Sequence, residues 1–145
     1  VWEASHDVDG IRDLYGRFLG ARDEIPAPYA RRWVEFLRRN ELTLRPQERG
    51  FTGRGLVVLA STVVREGRDP ERLRQLAAAA HWLELRDETA ILLEAHFSAT
   101  RDVRSGEMSR GLYQELGREE DARRVEARLQ VLSGRDARGD ALPAP

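Results

Sequence analysis

The sequence lacks cysteine, lysine and any long apolar stretch, and each absence excludes a class of protein. Without cysteine the chain has no disulfide framework, no thiolate nucleophile and no zinc site built on cysteine. Without lysine it lacks the cation that completes the phosphate-cradling glycine loop of nucleotide-binding proteins. No apolar run approaches the roughly 20 residues that a membrane-spanning helix requires, and the mean hydropathy is −0.58. We therefore expect a cytoplasmic protein that does not enter a membrane.

The charges are numerous but balanced. All 24 basic residues are arginine, and 25 acidic residues are mixed among them, which leaves a net charge of −1. Binding to nucleic acid requires a net basic face that releases counterions from the phosphates. We therefore expect no direct contact between this chain and nucleic acid.

Helical periodicity dominates the chain, because apolar residues recur three and four positions apart and strand-type alternation is absent. The pattern predicts an all-α fold of about seven helices, placed at about 7–19, 28–42, 54–66, after Pro70, 88–99, 103–116 and 119–132. Pro46, Gly50, Gly53 and Gly55 predict a loop or kink between about 44 and 54.

The third helix, with an apolar run from Leu56 to Val64, is predicted to be the most buried element. Gly67 is a candidate left-handed cap at its end, and Asp69 and Asp87 are candidate N-caps of the two helices that follow. The sixth helix is expected to turn its apolar residues inward, namely Met108, Leu112 and Leu116.

The domain is predicted to span residues 1–134, followed by a disordered tail over 135–145. The chain begins with Val, and its first residues carry neither the basic start nor the apolar core of a signal peptide. We therefore interpret it as a domain taken from a longer protein.

A partial internal repeat is visible. Arg68-Asp69 recurs 33 positions later as Arg101-Asp102, and at the same shift Leu59 falls on Leu92 and Leu83 on Leu116. Repeats of about this length are typical of tetratricopeptide helix pairs, each of which needs a neighbour to cover its apolar face. The repeat predicts a tetratricopeptide-like right-handed superhelix of antiparallel helices.

Three segments in order resemble the bacterial transcriptional activator domain, the tetratricopeptide-like module of winged-helix transcriptional regulators. They are Val1-Trp2-Glu3-Ala4 with Asp13 to Leu19, then Trp33-Val34-Glu35, then Gly67 to Arg72 leading into an Ala- and Leu-rich helix. The resemblance covers about residues 1–132. It implies a regulatory domain that binds a protein partner or a second copy of itself and signals to a DNA-binding domain outside this chain.

The sequence departs from the family's pattern in two places. The family runs one long helix on from its Trp-Val-Glu segment, whereas Pro46 and the three following glycines are expected to interrupt it here. The turn near 101–106 is also expected to be longer than in the family. Both departures affect the register of the repeat more than the fold.

The sequence shows no pattern for catalysis, a metal or a cofactor, so we expect no enzyme activity. His6, His81 and His96 are too scattered for a ligand set. The serines lack both a strand-turn-helix setting and a placed histidine partner. His96 is expected to be a half-buried core residue.

Tryptophan and arginine are over-represented in binding hot spots. The candidate partner-binding residues are therefore Trp2, Arg31, Arg38 and Trp82, whereas Trp33 lies in an apolar stripe and is predicted to belong to the core. Two other functions stay open at this point. One is a stand-alone tetratricopeptide-like adaptor unrelated to transcription. The other is a catalytically dead relic of an all-helical, isoprenoid-synthase-like enzyme.

Overall fold

The computed structural model describes the backbone of residues 7–67 and 69–141, and the side chains of these residues as far as 134. Within these ranges the chain forms seven α-helices and no strand, which confirms the all-α prediction. The helices are α1 (Val8–Gly20), α2 (Ala27–Arg39), α3 (Pro46–Glu66), α4 (Glu71–Trp82), α5 (Arg86–Thr100), α6 (Val103–Glu115) and α7 (Glu119–Ala141). No helix in the described ranges is both long and apolar enough to cross a lipid bilayer.

The predicted loop between 44 and 54 is wrong, because α3 begins at Pro46 and continues through all three glycines. Proline is well tolerated in the first helical turn, where its missing N–H has no partner to lose. Gly55 brings α2 close to α3, since a Cβ there would lie 3.2 Å from the Cβ of Ala30. None of the three glycines ends the helix, and Gly55 allows its close packing on α2.

Burial along α3 is only partly as predicted. Leu56, Leu59 and Val63 are buried, but Val57 and Val64 are 36% and 60% exposed. An apolar run that continues around a helix covers more than the one face that neighbouring helices bury. The apolar run predicted the most buried helix, but α3 buries one face and exposes apolar residues on the other.

The helix ends follow ordinary capping chemistry. Gly67 adopts φ 62° and closes α3, as predicted. Asp69 Oδ1 accepts a hydrogen bond from the Glu71 amide at 3.0 Å, and Asp102 Oδ1 accepts one from the Arg104 amide at 3.0 Å. The two aspartates of the repeat thus satisfy free amides at the starts of α4 and α6.

Two expectations about α5 are wrong. Its N-cap is Leu85, so Asp87 lies inside the first turn, where a carboxylate favours the helix dipole but does not cap. The turn that follows is short, because α5 ends at Thr100 and α6 begins at Val103. Arg101 makes this sharp reversal possible with a left-handed φ of 60°.

The inner face of α6 also differs from the prediction, since Met108 is 56% exposed. The face turned toward α5 instead carries Ser105, Gly106, Ser109 and Tyr113. Ser109 is fully buried and its hydroxyl donates to the carbonyl of Ala90 at 2.8 Å. Small side chains let the two helices approach closely, and the hydroxyl finds a backbone acceptor.

The last helix, α7, continues to Ala141, beyond the end predicted near 132. Glu119, Glu120 and Asp121 occupy its first turn, as expected for carboxylates near a helix N-terminus. The disordered tail over 135–145 stays a prediction.

The core consists of two clusters that meet at Leu112. The larger one joins α1 to α5 around Trp33, which is 1% exposed as predicted and donates its indole N–H to Thr52 Oγ1 at 2.8 Å. The smaller one joins α5, α6 and α7 through residues that include Phe97, Tyr113 and Val125. From α2 to α7 each helix therefore packs mainly on its neighbours in the sequence, whereas α1 packs mainly on α3.

A buried ion pair fastens α1 to the start of α3. The Arg12 guanidinium donates to both carboxylate oxygens of Glu48, at 2.7 and 2.5 Å, and both side chains are at least 92% buried. Arg12 also donates to the carbonyl of Thr43, and Glu48 accepts from the Arg45 amide. The hydrogen bond to Glu48, followed by coulombic attraction to it, raises the pKa of Arg12 despite its burial.

Alternate helices lie side by side. Grooves run between α2 and α4 and between α4 and α6, with residues of α3 and α5 as their floors. On the opposite side a groove runs between α3 and α5. The even-numbered helices thus form one surface layer, and α3 and α5 belong to the other.

Candidate functional site

Three of the four predicted partner-binding residues lie along one groove. Two adjoining hollows of about 660 and 400 Å³ share Arg38, Gln75 and Ala79, and we call them together the α2–α4 groove. Arg31 lines the smaller hollow and Trp82 the larger one. The fourth predicted residue, Trp2, lies outside the described residues.

Helical spacing aligns the walls of this groove. Its α2 wall carries Arg31, Val34, Glu35 and Arg38, at positions i, i+3, i+4 and i+7. Its α4 wall carries residues at i, i+3, i+7 and i+10, namely Arg72, Gln75, Ala79 and Trp82. Both stripes face each other across the apolar floor that α3 supplies with Leu59 and Val63.

The groove is open because the middle of α4 presents only small side chains to it. Ala78 and Ala79 stand where larger side chains would fill the space between α2 and α4. At the end of α4, Trp82 remains 46% exposed and borders the larger hollow. An exposed indole beside an open, partly apolar hollow is a typical anchor for a protein partner.

The groove's arginines form no direct ion pair. Arg31, Arg38 and Arg72 are exposed and form no ion pair or side-chain hydrogen bond with another described residue. By contrast, five of the nine described arginines from Arg74 to Arg128 form an ion pair, such as Arg124 with Glu94 and Arg118 with Asp121. Glu35, Glu41 and Glu66 also line the groove, so its lining holds three arginines and three glutamates and carries no net charge.

Two of the three even-numbered helices are basic. Helix α2 contains four arginines and one glutamate, α4 two arginines and one glutamate, and α6 two of each. These helices therefore hold eight arginines and four glutamates, a net charge of +4, in a chain whose net charge is −1. The excess lies on α2 and α4, but three of their arginines do not line the groove, namely Arg32, Arg39 and Arg74.

Sequence reasoning missed the contribution of α4 other than Trp82. The sequence analysis gave Arg72, Gln75, Ala78 and Ala79 no role in binding. The available signal was their spacing, since Arg72, Gln75 and Ala79 precede Trp82 on one stripe of the helix. What the sequence could not indicate was that α2 would lie opposite this stripe.

A second groove lies on the other side of α4. The α4–α6 groove has a volume of about 540 Å³ and a mainly apolar lining that includes Leu93, Met108 and Leu112. Its rim charges are largely engaged: Arg74 pairs with Glu71, and Glu115 pairs with Arg86. This groove is therefore more apolar and less charged than the α2–α4 groove.

Ser105 does have a histidine partner, contrary to the expectation that no serine would. His96 Nδ1 lies 2.7 Å from Ser105 Oγ, and Asp102 Oδ2 lies 4.0 Å from the same nitrogen. In a catalytic triad the serine and the carboxylate contact opposite nitrogens of the ring, so that the carboxylate orients the base. Here both lie on Nδ1, and His96 is only 4% exposed, so it is more buried than the half-buried residue predicted.

A carboxylate with a lowered pKa belongs to a structural network of α5, α6 and α7. Glu94 of α5 receives two hydrogen bonds at 2.7 Å from Arg124 of α7 and one at 2.7 Å from the Tyr113 hydroxyl of α6. Burial alone would raise the pKa of Glu94, but the hydrogen bonds from Arg124 and Tyr113 together lower it. The pKa of the Tyr113 phenol is raised, mainly by burial and next by its hydrogen bond to Glu94.

Among the described residues, no three or more histidine, aspartate or glutamate side chains cluster in a way that could hold a metal ion. Together with the His96 geometry, this leaves the α2–α4 groove as the best-supported candidate site. A scan of protein-family models and searches among curated proteins and solved structures gave no match to this chain.

Proposed function

We propose that this chain is a non-enzymatic, cytoplasmic protein-interaction domain of a bacterial transcriptional regulator. Its helix pairs would stack as a tetratricopeptide-like superhelix, and its α2–α4 groove would bind a partner protein and signal to a DNA-binding domain outside this chain. The observation that carries the proposal is the convergence of Arg31, Arg38 and Trp82 on one open groove. The side-by-side packing of alternate helices and the resemblance of the sequence to the activator domain support the rest.

Binding of a partner protein at the α2–α4 groove is tested by photo-crosslinking in the cells that encode the protein. A photoreactive amino acid placed at Gln75, which lines both hollows, is expected to form a crosslink with a single partner. The same amino acid at Arg123, an exposed position on α7, serves as the control. Equal crosslinking from both positions, or none from Gln75, would count against the groove as an interface.

The transcriptional half is tested separately by RNA sequencing. A strain carrying Arg38→Glu together with Trp82→Ala is expected to reproduce the transcript changes of a deletion strain, while Arg123→Glu leaves transcripts unchanged. Protein levels are compared by immunoblot, so that loss of the protein is not mistaken for loss of binding. If deletion itself leaves all transcripts unchanged, the role in transcription is wrong and a stand-alone adaptor becomes the better hypothesis.

A further inference from the structure

The hollow between the C-terminal end of α5 and the middle of α7 differs in charge from the two grooves that flank α4. It is lined by residues between Phe97 and Arg101 and between Ala127 and Leu132, and we call it the α5–α7 hollow. We propose that it binds a small amphipathic carboxylate, meaning an organic acid with an apolar body. This site goes beyond the proposed function, because it shares no lining residue with the α2–α4 groove.

One part of the lining is apolar. Ala127, Val131 and Leu132 of α7 supply it together with Phe97 of α5. Val131 is 57% exposed, so a large part of its side chain contacts water. The hollow has a volume of about 430 Å³, and small-molecule sites occupy about 300–1,000 Å³. A short hydrocarbon body would fit this space and would remove Val131 from water.

The other part of the lining is cationic. Its two charged residues are Arg101 and Arg128, and no described carboxylate lines the hollow. Neither arginine forms an ion pair with another described residue. The α2–α4 groove, by contrast, is lined by three arginines and three glutamates, and the α4–α6 groove by two arginines and two carboxylates. Charge complementarity therefore favours an anion at the α5–α7 hollow.

Ser98 orients one of the two arginines. Its Oγ accepts a hydrogen bond from Arg128 Nη1 at 2.6 Å. A guanidinium carries five N–H donors, so most donors of Arg128 stay available. The Ser98 hydroxyl donates to no other described residue. The hollow thus offers hydrogen-bond donors from Arg101, Arg128 and Ser98, and a carboxylate can accept such bonds through both of its oxygens.

Glu94 does not take the place of this ligand. Arg128 interacts electrostatically with Glu94. The side chain of Glu94 is only 14% exposed, however, and its carboxylate pairs with Arg124. It also accepts a hydrogen bond from the Tyr113 hydroxyl. Since Glu94 already has a countercharge, Arg128 can pair with an anion from solution.

Other occupants fit the hollow less well. In a twofold contact the same patch meets itself, so a second copy of the chain would bring Arg101 and Arg128 close to their own counterparts. The phosphates of a nucleic acid would leave the apolar side chains of Val131 and Leu132 uncovered. The lining extends over only about 6 Å of α5 and about 7.5 Å of α7, at 1.5 Å per residue. A small molecule therefore matches it better than an extended protein segment does.

The experiment is a titration of the whole chain with octanoate, followed by ¹H–¹⁵N NMR. We expect saturable shifts centred on the amides of residues 97–101 and 127–132. Octan-1-ol has a tail of the same length without the charge, and it should bind at least about fivefold more weakly because it cannot pair with two exposed arginines. Acetate, which has the charge without the tail, should give no saturable shift.

The double variant Arg101→Gly, Arg128→Gln removes both charges from the hollow. Glycine adopts the left-handed φ of 60° at residue 101 without strain, so the turn should be kept. We expect the variant to bind octanoate at least about fivefold more weakly. The matched control is Arg17→Gln with Arg123→Gln, which removes two exposed arginines elsewhere and should leave the affinity unchanged. Amide spectra without ligand verify that each variant is folded.

Equal affinity for octanoate and octan-1-ol, or equal affinity of the original protein and the double variant, would show that the arginines take no part in binding and would overturn the proposal. Shifts centred on another surface, or no saturable shift at the highest soluble concentration, would do the same. An acidic peptide with one leucine that displaces octanoate at a lower concentration would reassign the hollow to a protein partner. None of these outcomes affects the crosslinking test at Gln75, so the proposed function stands or falls separately.

Discussion

At the scale of single residues, space and charge decide what the structure tolerates. Some glycines inside helices lie at contacts where no Cβ fits, whereas others do not, and the buried Arg12 is paired with a carboxylate. Two helical glycines of α6 show the first point clearly, since one faces the core and the other faces open space. The ion pair of Arg12 and Glu48 shows the second.

Gly106→Ala is expected to destabilise the domain. The added Cβ would come within 2.9 Å of Leu129 Cδ2 and 3.0 Å of the Phe97 ring, so buried side chains would have to shift. We expect the free energy of unfolding to fall by about 1–3 kcal/mol in urea denaturation, as for other overpacked cores. Gly111→Ala is the matched control, because nothing lies within 4 Å of its Cβ position. It should instead raise the stability by about 0.5–1 kcal/mol.

Glu48→Ala is expected to cost much more than the loss of a surface ion pair. It leaves the guanidinium of Arg12, 7% exposed, without its countercharge, and such removals cost about 3–5 kcal/mol. Glu115→Ala, which removes the exposed partner of Arg86, should leave the melting temperature nearly unchanged. Similar melting temperatures for the two variants would show that the buried ion pair stabilises the fold no more than the exposed one does.

At the scale of elements, the sequence predicts the helices better than it predicts how they pack against one another. Apolar spacing predicts all seven, and the starts of α4 and α6 are fixed by local chemistry that is visible in Asp69 and Asp102. Several of the wrong predictions concern places where small residues allow a helix to pack closely on another. Gly50, Gly53 and Gly55 suggested a break, but α3 continues through them, and Gly53 and Gly55 let it pack closely on α5 and α2.

The inner face of α6 shows the same limit. Ser105 and Ser109 are polar by composition, yet they face the core because His96 and the Ala90 carbonyl offer hydrogen bonds there. Such partners come from another helix and are not visible in the local sequence. The groove could be predicted only in part for the same reason: Trp82 and Arg38 were identifiable, but their meeting depends on how α2 and α4 pack.

Leu59→Asp tests the assignment of α3 as the central element. Leu59 is 7% exposed and lies on the floor of the α2–α4 groove, where a carboxylate would have no partner in the core. We expect the helical circular-dichroism signal to be lost or its melting midpoint to fall sharply. Val64→Asp, on the 60% exposed side of the same helix, is the control and should melt like the original protein.

At the scale of the whole molecule, the two ends are held together by different forces. The larger cluster, from α1 to α5, is built on aromatic packing, with the rings of Tyr15, Trp33 and Phe36 within 5.9 Å of one another. The C-terminal end adds ion pairs that connect α5, α6 and α7 through Glu94, Arg124 and Asp121. Acid should therefore loosen the attachment of α7 to α5 and α6.

The pH dependence of stability follows from the carboxylates of this network. The pKa of Asp121 is lowered mainly by its hydrogen bond from Arg124. The pKa of Glu94 is lowered as well, because its hydrogen bonds outweigh its burial. A carboxylate with a lowered pKa stabilises the fold above its unfolded pKa, and this contribution disappears as the pH falls through the folded value. We expect the urea midpoint to fall between about pH 6 and about pH 3.

Glu94→Gln is the control for this dependence, since the amide cannot titrate. Its urea midpoint should be lower at neutral pH and should change less on acidification than that of the original protein. Hydrogen exchange followed along the chain should show α7 losing protection before α2 and α3. Simultaneous loss of protection in all helices would contradict a separate role for the ionic network.

The fork of hydrogen bonds between Arg124 and Glu94 also restricts how α7 can move. A guanidinium that donates two parallel hydrogen bonds to one carboxylate holds that carboxylate in its plane. Rolling of α7 about its axis, or slipping by a turn, would have to break both of these bonds as well as the apolar packing of Ala122, Val125 and Leu129. The apolar contacts hold α7 against the domain, and the two parallel bonds add a directional restraint on its rotation relative to α5.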